Sequence, residues 1–149
     1  MISTTLRAGL PPDPFEFLAN EIRAGIVLHL DPDSFETHGG KFCGREGYRV
    51  QGCHFFLCAS HGDGFGLWLP VFTNPGPGRI RVPAKGRRGH PKWLNGEAHI
   101  HTRQRWDAPV AAVVQAARDG GELSVPGRRN WADTSWLPPE FGSQARRGA

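Results

Sequence analysis

The chain has 149 residues, of which 38% are hydrophobic and 21% are charged, and it contains 20 glycines and 13 prolines. This length suits one domain with a core of its own, and the high glycine and proline content argues against a helical bundle. The formal net charge is +4, and three cysteines, an odd number, exclude a framework of paired disulfides. The sequence has no secretory signal and no apolar run near the roughly 20 residues of a membrane span, so we expect a cytoplasmic protein with reduced thiols.

The first predicted elements are a short helix and a strand. The segment Asp13–Ala24 is predicted to be helical, because Asp13 can cap the helix and Pro14 suits its first position. Gly25 can end this helix, and the apolar run IVLHL at Ile26–Leu30 then predicts a strand. The next three residues, DPD, are typical of a turn.

Three further strands are predicted in the middle of the chain. A glycine-rich polar loop at Glu36–Tyr48 precedes two apolar strands, His54–Ala59 and Leu67–Phe72. The intervening SHGDGFG is typical of a hairpin connection. A short strand at Arg79–Val82 follows, and Pro83 ends it.

The stretch EAHIHTRQRW, residues 97–106, is predicted to be a strand with two different faces. Because side chains alternate between the faces of a strand, one face would carry two imidazoles and two guanidiniums. These residues are His99, His101, Arg103 and Arg105. Such a face does not suit a hydrophobic core, so it would meet a metal, a phosphate chain or solvent.

A helix follows this stretch and completes the predicted fold. Asp107 is predicted to cap the helix, four apolar residues follow at helical spacing, and Gly120 ends it. The four are Val110, Val113, Val114 and Ala117. A helix, about five short strands and a second helix indicate a mainly β, α+β fold. Short strands with two different faces favour a curled antiparallel sheet or a small barrel over a parallel sheet.

The chain is predicted to divide into three parts. Residues 1–12 form an N-terminal extension, and residues 13–125 form a single globular domain. Residues 126–149 form a tail rich in Pro, Trp and Arg that shows no periodicity. Within this tail we expect residues 143–149 to be disordered.

Positive charge is concentrated in one part of the chain, where eight Lys or Arg residues stand against a single acid, Glu97. The eight are Arg79, Arg81, Lys85, Arg87, Arg88, Lys92, Arg103 and Arg105. A region of this charge usually faces a polyanion, most often nucleic acid, and the other interpretation is a solvated surface. Aromatic rings can stack on unpaired bases. The candidates for stacking are Trp68, Trp93 and Trp106.

Metal chemistry finds little support in the spacing of possible ligands. The candidate ligands fall into two groups. One is the histidine pair in His99-x-His101, and the other is a group of residues close together in the sequence: Cys43, Cys53, His54, Cys58 and His61. The chain has neither CxxC nor HExxH, so a structural zinc domain stays only as a third alternative. The basic region also lacks the acids that two-metal catalysis requires, and no cofactor is predicted.

Metal-free cleavage of RNA, or simple binding, is the remaining chemistry. Cleavage needs a base for the 2′-hydroxyl, an acid for the leaving 5′-oxygen and cations for the charged phosphorane. Histidine, arginine and a hydroxyl residue can supply all of these. The candidate catalytic residues are Arg49, His54, Thr73, His99 and His101.

The order of these features resembles the MazF/PemK-like toxin endoribonucleases over residues 25–119. The run GIVLHLDP, residues 25–32, is similar to the opening strand of that family, and Glu36–Tyr48 is similar to its long loop. GCHFFLCAS, residues 52–60, looks like the family's next strand, which starts at Gly-x-Arg-Pro and ends in Ser. LWLPVFT, residues 67–73, ends in a hydroxyl residue as the following family strand does.

This resemblance implies a small SH3-like antiparallel β-barrel that cuts single-stranded RNA without a metal. Thr73 would carry the family's catalytic hydroxyl. His54 and Phe55 stand where the family has Arg and Pro. Either His54 replaces the catalytic arginine, or Arg49 reaches the site from the loop. Arg79, Arg105 and their neighbours in the basic region, together with Trp106, would bind the RNA.

The resemblance also implies partners, and it leaves a second function open. An antitoxin that occupies the RNA groove and a second copy of the chain are the expected protein partners, and no membrane partner is expected. The alternative is a non-catalytic small-barrel module that binds nucleic acid or a protein through its basic face.

Overall fold

A computed structural model of the chain describes residues 13–122 and 124–141. The predicted N-terminal extension and the end that we expected to be disordered, residues 143–149, lie outside these described residues. The strands are β1 (Ile26–Leu30), β2 (Lys41–Gly44), β3 (His54–Gly62), β4 (Phe65–Phe72), β5 (Arg79–Arg81), β6 (His99–His101), β7 (Gln104–Pro109) and β8 (Asn130–Trp131). The helices are α1 (Leu18–Glu21), α2 (Pro32–Thr37), α3 (Pro91–Leu94) and α4 (Val110–Asp119), with 3-10 turns at Glu46–Tyr48 and Pro139–Phe141.

The strands form one antiparallel sheet in the order β2-β7-β4-β3-β1-β8. The first half of β4 pairs with β7, and its end, Val71 and Phe72, pairs with β6, which also pairs with β5. The predicted α+β fold with a mainly antiparallel sheet is therefore confirmed. Within the described part of the chain no pairing joins β2 to β8, so the sheet is open and does not close into a barrel.

The sheet is buried on both faces because hydrophobic residues occupy both sides of its central strands. Along β3, Phe56 and Cys58 enter one core, whereas Leu57 and Ala59 enter the other. The first core includes the apolar face of α4. The helix spacing seen in the sequence therefore marks a buried face, as predicted. No helix of the described residues is long and apolar enough to cross a bilayer.

Several predicted boundaries are wrong. The first helix covers only Leu18–Glu21 and not Asp13–Ala24, and the predicted loop Glu36–Tyr48 contains β2 and the end of α2. Asp107 does not cap α4, since it lies within β7 and pairs with Lys41 of β2. The helix instead begins after Pro109. The DPD segment is not a turn but the start of α2, where the Asp31 carboxylate accepts a hydrogen bond from Asp33 N at 2.9 Å. Pro32 occupies the first turn of that helix, a position that proline favours.

The predicted strand at residues 97–106 is interrupted by a turn at Thr102 and Arg103. The turn is anchored by the Thr102 amide and hydroxyl, which both donate to the Gly78 carbonyl. It separates β6 from β7, so His99 and His101 do not continue into a row with Arg103 and Arg105. Because the two strands pair with different parts of β4, the chain has to change direction between them.

Residues 126–141 of the predicted tail are part of the fold. Asn130 and Trp131 form β8, which pairs with Val27 and Ile26 of β1. Phe141 is fully buried in the second core. The globular unit therefore extends beyond the boundary at residue 125 that the loss of periodicity suggested.

Candidate functional site

The candidate site lies where β1 and β4 end and β3 begins. Antiparallel pairing sets Leu30 of β1 opposite His54 of β3, and Phe56 of β3 opposite Pro70 of β4. A cavity of about 380 Å³ opens at this edge of the sheet. The residues with reactive or charged groups in its lining are His29, Cys53, His54, Thr73 and Arg79.

The two imidazoles of this cavity are held in the same manner. The Nδ1 atom of His29 lies 2.5 Å from the Gly120 carbonyl oxygen, and the Nδ1 atom of His54 lies 3.1 Å from the Val71 carbonyl oxygen. A carbonyl oxygen can only accept, so each Nδ1 carries a proton and donates it. In each neutral ring Nε2 is then the nitrogen that can accept a proton.

The end of α4 fixes His29 through a close approach to β1. A Cβ atom built on Gly120 would lie only 2.5 Å from the His29 carbonyl oxygen, so this position has no room for a side chain. The Glu122 carboxylate accepts a hydrogen bond from the His29 amide at 2.6 Å. Because β8 pairs only with the first two residues of β1, this amide would otherwise be an unpaired group at a sheet edge.

A cation and a hydroxyl complete the cavity. The Arg79 guanidinium lies over the Phe72 ring, 4.1 Å from its centroid, and donates from Nη1 to the Asn74 carbonyl at 2.9 Å. No carboxylate of a described residue lies within ion-pair distance of Arg79, so its charge is available to an anion. Thr73, at the end of β4, is exposed.

Cys53 also lines the cavity, but its thiol is poorly suited to nucleophilic attack. Partial burial raises the pKa of this thiol, and the negative charges of Asp31, Asp33 and Asp119 raise it further. The side chain is therefore a neutral thiol at pH 7, and the thiolate is the reactive form.

The structure places Arg49 away from the cavity. Its guanidinium forms ion pairs with Asp33 at 2.8 Å and with Glu36, and it packs against the buried ring of Trp106. Burial disfavours the charged form, but the carboxylates of Glu36 and Asp33 outweigh burial and raise the pKa of Arg49. The charge of Arg49 is thus neutralised by two carboxylates of α2. His54 and Arg49 were the two candidates to take the place of the family's catalytic arginine, and only His54 lines the cavity.

His99 and His101 are buried rather than aligned along a groove, with exposures of 6% and 4%. The His101 ring lies between Tyr48 and Phe72, and its Nδ1 accepts a hydrogen bond from Arg103 N at 3.0 Å. Burial lowers the pKa of His101, and the charges of Arg79 and Arg103 lower it further. The His99 Nε2 atom lies 4.0 Å from a carboxylate oxygen of Glu97. The Nδ1 atom of His99 is buried and has no hydrogen-bond partner among the described residues. Neither ring lines the cavity.

Arg87 has a structural role in place of the predicted nucleic-acid contact. The side chain is buried and donates to the carbonyls of Val82, Pro83, Trp93 and Gly96 at 2.6–3.2 Å. Burial lowers the pKa of this guanidinium. A phosphate could reach it only if these four hydrogen bonds were broken.

The other predicted cations remain at the surface to different degrees. Exposed side chains belong to Arg81, Lys85, Arg88, Lys92 and Arg103. Arg81 pairs with Glu97 at 3.5 Å, and Arg105 is half-buried over the Phe141 ring. The positive charges of this region are therefore spread over several parts of the surface.

The prediction that bases stack on the three inner tryptophans is wrong. Trp68 and Trp106 are fully buried, and Trp93 is 2% exposed. A tryptophan carries the largest apolar surface of any residue, and both cores draw on these rings. Among the described tryptophans, the half-buried Trp131 and Trp136 retain some contact with solvent.

Sequence patterns did not indicate that His29, Gly120 and Glu122 take part in the site. His29 is the single polar residue of the run IVLHL, one position before the strand ends. An isolated histidine in an apolar strand is the signal that could have directed attention to it. Its partners Gly120 and Glu122 lie about 90 residues further along the chain, so no local pattern connects them.

Two further cavities are linked to the first one by shared lining residues. A cavity of about 150 Å³ shares His29 and Phe55 with it and reaches Lys92 and His90. A cavity of about 480 Å³ shares His90 with the second one and extends to Arg88 and Arg128. We call these three adjacent cavities the cleft.

The chain matches no family model, no curated protein and no solved structure. Within residues 13–122 and 124–141 no three His, Cys, Asp or Glu side chains are grouped so that they could hold a metal ion. The zinc alternative thus finds no ligand set in that part of the chain, and the candidate chemistry rests on the geometry of the cavity.

Proposed function

We propose that the protein is a metal-independent endoribonuclease that cuts single-stranded RNA. One observation carries this proposal: His29 and His54 both line one cavity, and both donate from Nδ1 to a backbone carbonyl. The loose resemblance to the MazF/PemK-like toxins adds support, since Thr73 at the same cavity matches the family's catalytic hydroxyl. In this proposal the open sheet is a variant of the SH3-like barrel of those toxins.

The proposed reaction is an internal transfer of the phosphodiester. One imidazole, neutral, accepts the 2′-hydroxyl proton at Nε2 while the 2′-oxygen forms a bond to phosphorus. The bond from phosphorus to the 5′-oxygen breaks, and the other imidazole, protonated, gives its Nε2 proton to the leaving 5′-oxygen. The products are a 2′,3′-cyclic phosphate and a 5′-hydroxyl. Acid–base catalysis of this type contributes about 10²–10⁴-fold to the rate.

Arg79 and Thr73 have supporting roles in this reaction. The two non-bridging oxygens of the phosphorane gain negative charge, and the unneutralised Arg79 guanidinium can hold both of them. The exposed Thr73 hydroxyl can donate a hydrogen bond to the same phosphate. His54 stands at the position where the family has arginine, so Arg79, from β5, supplies the cation in its place.

The resemblance also suggests a biological setting for this activity. A toxin of this kind acts in the cytoplasm, and its antitoxin blocks the RNA site. In this protein such a partner would have to cover the cavity between His29 and Arg79. A homodimer is a further proposal from the same resemblance.

The test is an incubation of the purified protein with labelled single-stranded RNA in the presence of EDTA. We expect cuts at a limited set of sites, and the upstream product of each cut should carry a 2′,3′-cyclic phosphate. Cleavage that EDTA abolishes, or products with 3′-hydroxyl ends, would contradict the proposal. RNA binding without cleavage would favour the alternative, a non-catalytic binding module.

A further inference from the structure

We infer that the cleft binds the RNA strand on one side of the cut, with Arg88 and Arg128 holding the phosphates of nucleotides adjacent to the reacting one. This inference rests on the proposed function and deepens it, since it specifies a substrate of several nucleotides. Arg128 and Asn130 lie beyond residue 119, where the resemblance ends, so the inference comes from the structure of the C-terminal segment.

The sharing of lining residues between the three cavities is the first argument. His29 and Phe55 belong both to the catalytic cavity and to the middle cavity, and His90 belongs both to the middle cavity and to the outer one. The three cavities therefore lie in series, and each one borders the next through these shared residues.

The middle cavity has the features of a site for one base. The Phe55 ring forms part of its lining and is held by Trp93, with the ring centroids 5.7 Å apart. Asn130, which is buried, also lines this cavity, and its Oδ1 accepts from His90 N at 2.7 Å. No described residue accepts a hydrogen bond from the Asn130 Nδ2 group. An aromatic wall with one spare donor fits the flat, hydrogen-bonding edge of a nucleobase.

Positively charged side chains line the outer cavity and the middle cavity. Arg88, Arg128 and Lys92 are exposed, and none of them forms an ion pair with a carboxylate of the described residues. Glu122, which lines the middle cavity, and Glu21, which accepts from Gly127 N of the outer cavity, both have partners. Glu122 accepts from the amides of His29 and Ser124, and Glu21 pairs with the buried Arg129. The free charge of the outer cleft is therefore positive, which suits backbone phosphates.

The test compares Arg88→Ala/Arg128→Ala with the control Lys41→Ala/Arg45→Ala. The control removes the same charge from exposed residues on and next to β2, outside the three cavities. Cleavage of a dinucleotide and of a 12-nucleotide RNA is measured for each protein, with melting temperatures to verify folding. We expect the cleft variant to raise KM for the 12-nucleotide RNA about tenfold with kcat unchanged, and to leave dinucleotide cleavage unchanged. The logarithmic salt slope of binding should fall by roughly 0.7 per lost phosphate contact.

Equal effects of the two double variants would overturn the inference, because general charge and not the cleft would then be responsible. An unchanged KM for the longer RNA would overturn it as well. If the wild type cleaves no RNA, the proposed function fails while the cleft is still tested by fluorescence anisotropy with a 12-nucleotide RNA. Weaker binding by the cleft variant alone would then support the cleft, and equal binding by all three proteins would contradict it.

Discussion

The Gly120 carbonyl oxygen accepts the Nδ1 proton of His29 at 2.5 Å, although the two residues are 91 positions apart in the chain. This hydrogen bond connects the end of the long helix α4 to the last part of β1. The contact orients the imidazole and selects its tautomer. Packing of α4 on the sheet and the chemistry of the cavity thus depend on the same close approach.

A side chain at position 120 should disturb both stability and the site. In Gly120→Ala the new methyl group would lie 2.5 Å from the His29 carbonyl oxygen and 2.7 Å from Leu30 Cα, so α4 has to move away. We expect a loss of about 1–3 kcal/mol in the free energy of unfolding, the usual cost of overpacking, together with reduced RNA cleavage. Urea unfolding measures the first effect. Gly47→Ala is the control, since a Cβ at Gly47 has no heavy atom within 4 Å, and equal stability of the two variants would contradict this account.

Replacing Arg87 should destabilise the protein rather than weaken nucleic-acid binding selectively. Arg87→Ala removes the donors from four backbone carbonyls and leaves a cavity beside Trp93. Loss of buried, charge-assisted hydrogen bonds predicts a decrease of about 2–4 kcal/mol in the free energy of unfolding. The exposed neighbour Arg88 is a matched control, and Arg88→Ala should change the melting temperature by little. If Arg87→Ala folds with wild-type stability and only binding is lost, the structural role is wrong.

Stability should fall as the solution becomes mildly acidic, because His101 is harder to protonate in the folded state. Burial, with the charges of Arg79 and Arg103, lowers its folded pKa below the ordinary value of 6.5. As the pH falls below 6.5, the unfolded chain takes up a proton that the folded chain resists. The contribution of neutral His101 to the free energy of unfolding is thus complete above pH 6.5. It is lost progressively as the pH falls from 6.5 to the lower pKa of the folded state.

The measurement is urea unfolding between pH 7.5 and pH 5. The contribution of one residue cannot exceed about 1.4 kcal/mol per pH unit. In His101→Gln the slope between these pH values should be smaller than in the wild type. A His101→Gln slope equal to that of the wild type would contradict the assignment.

Local patterns predicted the central elements of the fold well. The runs HFFLCA and LWLPVF became β3 and β4, and Asp63 and Gly64 between them have φ values of 54° and 80°, as a tight hairpin turn requires. Both strands extend beyond their apolar runs, because polar residues at the hairpin end still pair. The apolar spacing at positions 110–117 likewise marked α4.

The errors arose where contacts distant in sequence decide the structure. No glycine or proline marks the turn at Thr102 and Arg103, and its anchor, Gly78, lies 24 residues away. Arg87 looks like its exposed neighbour Arg88 in the sequence, and only the surrounding carbonyls distinguish them. The candidate cavity was predicted in part. Thr73, His54 and Arg79 were named from the sequence, whereas His29 depends on the packing of α4 and Arg49 is neutralised by α2.

The most direct test of the central claim is the cleavage rate of His29→Ala and His54→Ala on one single-stranded RNA at saturating concentration. His38→Ala serves as the control, because this exposed histidine lies outside the cavity. We expect each cavity variant to lose about a hundredfold or more in rate, the scale for removing a general acid or base, while RNA binding and the melting temperature change little. If both variants cleave at the rate of the wild type and of His38→Ala, the two imidazoles do not perform the reaction and the proposed site is wrong.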